Sequence, residues 1–149
     1  MSEMKRLRIE PDRADLSDLI EDGVRLHGHI GPFLIAGIRA GLLALSLLEH
    51  PGYFGISAES KAGREPPLSC FSDGIQIGSG CTAGKGNLKI LDDGLPRVRF
   101  TTEEGRSVVV EIRDGPLTTF REGDIEVESI RARTLPLEEL FAWTGPSSA

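Results

Sequence analysis

The sequence predicts an α+β fold, with N-terminal helices packed on a mainly antiparallel sheet in a single domain. Three observations carry that expectation. Residues 30–48 (IGPFLIAGIRAGLLALSLL) are almost wholly apolar, as a buried central helix requires. Residues 97–102 (RVRFTT) and 106–113 (RSVVVEIR) alternate polar and apolar side chains on either side of Glu103-Glu104-Gly105, which is the pattern of a hairpin. Helical patterns come first and strand patterns after them, an order that favours α+β over a doubly wound sheet.

The first helix is expected over residues 15–27. Asp15 or Ser17 can cap it, and Leu16, Leu19, Ile20, Val24 and Leu26 supply its apolar face. Gly28 and Gly31 break it, and Pro32 suits the first turn of the next helix, where its missing N–H does no harm. That helix runs to about Glu49, where Pro51-Gly52 follows. Its length is close to that of a membrane span, yet Arg39 stands at its centre, where a charge is costly in lipid. The expectation is a buried helix, no membrane association, and an Arg39 satisfied by a carboxylate or a backbone carbonyl. Gly37 and Gly41, with Ala36, Ala40 and Ala44, make one side of this helix smooth. Packing within the chain and a helix–helix contact between two copies would both use such a side.

Residues 54–61 read as a strand, 62–68 as a proline-containing loop and 69–79 as a short helix weakened by Gly74 and Gly78. A glycine-punctuated loop at 81–86 leads to a strand beginning at 87–91. The last elements fall within 124–143 and are expected to be helical around 137–143. The domain is read as 1–149, with peripheral tails at 1–14 and 145–149. A chain of this length, 39% hydrophobic, can enclose one core without disulfide staples.

The charge pattern narrows the partners. Net charge is −6, and no long run of Lys or Arg offers a nucleic-acid footprint. The N-terminal stretch is charged throughout and lacks the apolar core of a signal peptide, so a cytoplasmic location is expected. In that setting the two cysteines, Cys70 and Cys81, point away from a disulfide and toward a metal or thiol role.

Imidazoles and thiolates are preferred ligands of zinc and other borderline metals. Two of the three histidines form His27-Gly28-His29, while His50 stands apart beside Pro51 as an ordinary surface residue. On an ideal helix His27 and His29 would point about 200° apart, but a chain broken at Gly28 lets them face one way. The alternative is that both favour the C-terminal end of the first helix as cations. Cys70 and Asp73 share a helical face, from which Asp73 could orient a ligand, take a proton or bind metal itself. A buried apolar role is the alternative for each cysteine. The loop Gly78-Ser79-Gly80-Cys81-Thr82-Ala83-Gly84-Lys85-Gly86 is not a phosphate loop. Ser79 stands where the first glycine should be, Gly86 replaces the hydroxyl residue, and a strand follows instead of a helix. Its backbone N–H groups could still cradle an anion.

The segments His27-Gly28-His29-Ile30-Gly31-Pro32, Cys70-Phe71-Ser72-Asp73-Gly74-Ile75-Gln76 and Gly80-Cys81-Thr82-Ala83-Gly84-Lys85-Gly86-Asn87-Leu88 resemble the FmdE-like family, which takes its name from a component of formylmethanofuran dehydrogenase. The resemblance covers about residues 15–113 and implies an α+β core, a homodimer and a metal site near these motifs. Gly31 stands where family members often carry a cysteine, and the C-terminal zinc finger of many members has no counterpart after Cys81. With the motifs in hand, His27, His29, Cys70 and Cys81 are the expected ligands of a divalent metal, zinc first. The expected role is an accessory, carrier or sensor protein serving a metalloenzyme partner. The alternative is a metal-dependent enzyme in which Cys81 acts as a thiolate favoured by nearby N–H groups and Lys85, Lys85 stabilises negative charge, and Asp73 serves as acid or base.

Overall fold

The computed structural model describes residues 5–148. Helix α1 (Leu16–His27) begins at Asp15, whose carboxylate accepts from the N–H groups of Ser17 and Asp18. It ends at Gly28, which adopts φ 106, a left-handed conformation that glycine takes without strain. Gly31 is extended and Pro32 opens α2 (Pro32–Leu48). Strand β1 (Ile56–Ser60), helix α3 (Cys70–Ser79), strand β2 (Leu88–Ile90) and the hairpin β3 (Arg97–Thr102) and β4 (Arg106–Ile112) follow. The chain closes with α4 (Asp114–Glu122), α5 (Ile125–Thr134), the single turn α6 (Leu137–Leu140) and β5 (Phe141–Ser148).

The five strands form one sheet in the order β2-β1-β3-β4-β5. Only the β1–β2 pair is parallel. The architecture is therefore α+β with a mainly antiparallel sheet, as expected. Alternation puts Ile56, Ala58, Val98, Phe100, Val108, Val110 and Ile112 on the buried face, each no more than 4% exposed. Helix α2 packs against β4 and β5 on this side, and all but a few of its residues are buried.

The smooth side of α2 is used within the chain. A methyl group added at Gly37 would lie 2.1 Å from the Phe71 carbonyl oxygen, and one at Gly74 would lie 2.1 Å from that of Leu34. One at Gly78 would meet the Ile38 carbonyl oxygen at 2.1 Å, and one at Gly41 the Gly78 carbonyl carbon at 2.7 Å. Paired glycines on both helices thus bring α2 and α3 into backbone contact. This removes the reason for placing that side of α2 between two copies. It also explains why Gly74 and Gly78 sit in a helix they locally weaken: a side chain there would hold the helices apart.

Arg39 is satisfied as expected. Its guanidinium donates to the carbonyl oxygens of Ala132 at 2.9 Å and Leu135 at 2.7 Å, the unpaired acceptors at the end of α5. Burial lowers its pKa from the usual arginine value. Among the described residues no helix is long and apolar enough to cross a membrane.

The C-terminal quarter departs from the sequence reading. Residues 114–122 form α4, a helix that presents only Phe120 as a buried residue and so carries little apolar pattern. The helix expected over 137–143 stops at Leu140. Phe141, fully buried opposite Ile112, and Trp143, opposite Val110, belong to β5 instead. In the expected C-terminal tail, Ser147 and Ser148 pair with Ser107 and Arg106 of β4. At the other end, the Ile9 N–H donates to Pro51 and its side chain packs on the core. Residues 1–4 and 149 of the expected tails lie outside the described residues.

Replacing Gly74 by Ala should destabilise the chain by about 1–3 kcal/mol through overpacking at a backbone that cannot yield. Gly84→Ala, where an added methyl meets nothing within 4 Å, should stay within about 0.5 kcal/mol of the parent. Urea unfolding measures both, and equal effects would show that the helix contact is not tight.

Candidate metal centre

The centre forms where the α1–α2 junction meets the first turn of α3. His27 is the last residue of α1, and the left-handed Gly28 turns the chain so that His29 comes back beside it. The two ring centroids are 4.5 Å apart. Cys70 is the first residue of α3 and is 7% exposed. A ligand atom from each of His27, His29 and Cys70 lies within 4.8 Å of the other two. A buried hydrogen bond of 2.7 Å between Ser60 of β1 and Ser72 fastens this turn of α3 to the sheet.

The outer nitrogens settle which way the rings face. His29 Nδ1 lies 3.0 Å from the Ile30 carbonyl oxygen, which can only accept, so Nδ1 carries the hydrogen. His27 Nδ1 lies 2.6 Å from Asp73 Oδ2 and donates to that carboxylate. Both remaining nitrogens, Nε2, are then lone-pair donors in the neutral rings, and they stand 3.1 Å apart. Two lone pairs so placed repel unless a proton or a cation lies between them. Nitrogens bound to one tetrahedral zinc are about 3.3 Å apart, given bonds of about 2.0–2.1 Å. The residues therefore fit a metal: two imidazoles oriented by hydrogen bonds on their far sides and one thiol at a helix start. The Asp73–His27 pair is the carboxylate–histidine arrangement that fixes metal-ligating rings.

Cys70 and Asp73 share a face of α3, as their spacing implied, and Asp73 orients His27. Burial, then the Asp73 carboxylate, pushes the Cys70 thiol above the usual cysteine value, against its backbone hydrogen bond. A bound cation would reverse that balance, because a coordinating thiol is deprotonated.

Cys81, the fourth expected ligand, does not join this group of atoms. It is fully buried, with Sγ 3.7 Å from the Ile56 carbonyl oxygen. Burial raises its pKa, outweighing the lowering influences of Ser79 and Lys85. Lys85 is turned elsewhere too. Its Nζ donates to the Gly80 carbonyl oxygen at 2.6 Å and lies 5.3 Å from the centre of the Phe54 ring. His50 is half-buried and accepts from the Gly52 N–H at 2.9 Å, away from the centre.

The glycine loop is not an anion cradle. The N–H groups of Thr82, Ala83, Lys85 and Gly86 already donate to Asn87, Gln76, Thr82 and Ala83 respectively. The first of these contacts and the Asn87 amide, which donates to Tyr53 and Ile56, close the loop on itself. Gln76 ends the second of the three family-like segments, and the sequence reading gave it no role. It bonds to both the loop and Asp73, and its position three residues after Asp73 on one helix was the available signal.

Comparison with known proteins bears on the same segments. Residues 26–142 match the family described as "FmdE, Molybdenum formylmethanofuran dehydrogenase operon". The crystal structure of a tungsten formylmethanofuran dehydrogenase FmdE-like protein from Syntrophus aciditrophicus superposes with a TM-score of 0.68. That likeness covers 93% of this chain and 76% of the other at 18% identity, which speaks to the fold. A protein of Archaeoglobus fulgidus named as a probable S-adenosyl-L-methionine-binding protein is 29% identical over 89 residues, covering 55% of this chain and 23% of that protein. The chain thus spans less than a quarter of that relative.

The raised cysteines make a pH prediction. Their contribution to stability is complete below the ordinary thiol value of 9.0 and is lost as pH rises through the raised folded values. Cys81→Ala should flatten the alkaline loss in urea unfolding of the metal-free chain. An unchanged alkaline profile would contradict the buried thiol.

Proposed function

We propose that this chain, which belongs to the FmdE family, holds one divalent transition metal on His27, His29 and Cys70 and presents it to an outside molecule. One observation carries the reading: the two Nε2 atoms face each other at 3.1 Å with both outer nitrogens engaged by oxygen acceptors. Three protein ligands leave a tetrahedral metal one position short, as in sites that exchange a ligand with their surroundings. Exposure of His29 and partial exposure of His27 support access from solvent. A two-nitrogen, one-sulfur set suits zinc among the common metals.

The role this supports best is an accessory protein that carries or senses a metal for a metalloenzyme, whose ligand or whose substrate completes the coordination. A cytoplasmic setting belongs to this reading, since both cysteines are free thiols. So do pairing with a second copy and a metalloenzyme partner, for which the family resemblance is the support. The second reading, a metal-dependent enzyme, draws on the open position, where a bound metal would supply Lewis acidity and an activated water. In that reading Asp73 orients His27, and Lys85 and Cys81 take no part in the chemistry. The S-adenosyl-L-methionine binding named for the archaeal relative is not carried over.

Zinc titration of tag-free protein against a chromophoric chelator tests the proposal. We expect one zinc per chain and affinity that falls on acidification, because protons compete for the ligands. Cys70→Ser and His29→Ala should each weaken binding at least about 10-fold, while Cys81→Ser should bind like the parent. Loss of zinc in Cys81→Ser with retention in Cys70→Ser would overturn the assignment.

A further inference from the structure

We infer that Gln76 is a positioning residue of the metal centre, linking the loop at 82–86 to Asp73 and, through Asp73, holding His27 in its ligating orientation. The inference rests on the metal reading given above. Gln76 lies on α3 one turn after Asp73 and two turns after Cys70, on the side that faces the loop.

The orientation of its amide follows from its partners. The Ala83 N–H can only donate, and it lies 3.3 Å from Gln76 Oε1, so the oxygen end faces the loop. The NH2 end then faces Asp73, with Nε2 3.3 Å from Oδ1. Asp73 Oδ2 accepts from His27 Nδ1 at 2.6 Å. The relay thus converges on Asp73: the Ala83 N–H donates to Gln76, Gln76 donates to one carboxylate oxygen of Asp73, and the His27 N–H donates to the other. Asp73 is 38% exposed at its side chain, so helix geometry alone does not fix its carboxylate. With one oxygen held by Gln76, the other is aimed at His27. That keeps the His27 hydrogen on Nδ1 and its lone pair on Nε2, where the metal would bind. Partners of this outer kind commonly change metal affinity about 10–100-fold.

The loop then has a purpose that neither a phosphate site nor a thiolate nest explains. Gly84 and Gly86 face open space, while Asn87 closes the loop. That closure holds the Ala83 N–H where Gln76 needs it.

The test is zinc affinity, by chelator competition, of the tag-free chain, Gln76→Met, Asp73→Asn and the double variant, with Gln76→Ala as a second truncation. Urea unfolding of each metal-free chain reports its fold. We expect Gln76→Met to bind zinc about 10-fold more weakly than the parent with little change in unfolding midpoint. In the Asp73→Asn background, the same change should cost nothing further, because the relay is already broken. In the metal-free chain, long-range 1H–15N spectra should show His27 losing its Nδ1–H tautomer preference in Gln76→Met while His50 keeps its own. Parent-like zinc affinity for Gln76→Met and Gln76→Ala, or losses that add fully in the double variant, would overturn the role of Gln76 and leave the metal site standing. Absence of zinc binding in the parent chain itself would remove the metal reading, and the inference with it.

Discussion

The backbone contact between α2 and α3 is the constraint on which the rest of the structure depends. Gly37 and Gly41 on one helix and Gly74 and Gly78 on the other leave no room for a Cβ. The helices can therefore approach until carbonyl oxygens of one meet glycine carbons of the other, where weak C–H donors become useful partners. The consequence reaches the site directly. His29 precedes α2 by three residues, and Cys70 and Asp73 occupy the first turn of α3. Setting the two helix starts against each other sets the distance between imidazoles and thiol. Rigid elements hold ligand geometry better than loops do, and here the end of α1 carries His27 and the start of α3 carries Cys70, while His29 sits on the short bend between α1 and α2.

Within that frame, hydrogen bonds decide the chemistry. A neutral histidine is a ligand through whichever nitrogen lacks a hydrogen, and the partner of the other nitrogen makes the choice. Ile30 makes it for His29, and Asp73 for His27. Both choices send lone pairs into one small volume beside Cys70. Gly31 bears on the same volume: its backbone is extended, and an added Cβ would be in ordinary contact with the His29 ring, at 3.7 Å. The backbone there thus accepts a side chain, and glycine leaves that side of His29 open.

Much of this was legible in the residues, for local reasons. The Asp15 cap, Pro32 at the start of α2 and the alternation in β3 and β4 are short-range signals, and each element formed where they pointed. The His-Gly-His break was legible because a chain broken at Gly28 lets both rings face one way, and the left-handed Gly28 makes that break. What escaped was set by tertiary contacts. Phe141–Ser148 contains Gly145, Pro146 and two serines, poor strand formers that become a strand by pairing with β4. The surroundings of Cys81 were not legible either: its neighbours in sequence, glycines and Lys85, suggest an activated thiolate. Its neighbours in space bury it completely, and burial outweighs them. The small-residue side of α2 was readable as a packing surface, but its partner, α3, became visible only in the fold.

The central claim is the composition of the metal's inner sphere: two imidazoles from the His27–His29 pair and one thiolate from Cys70. X-ray absorption spectroscopy of the zinc-loaded, tag-free chain reads that composition directly. The account predicts one sulfur at about 2.3 Å, with two imidazole nitrogens and a further light atom at about 2.0–2.1 Å. Two sulfurs in the inner sphere would bring Cys81 back as a ligand and contradict the geometry described here. A sphere with no sulfur would contradict the site itself.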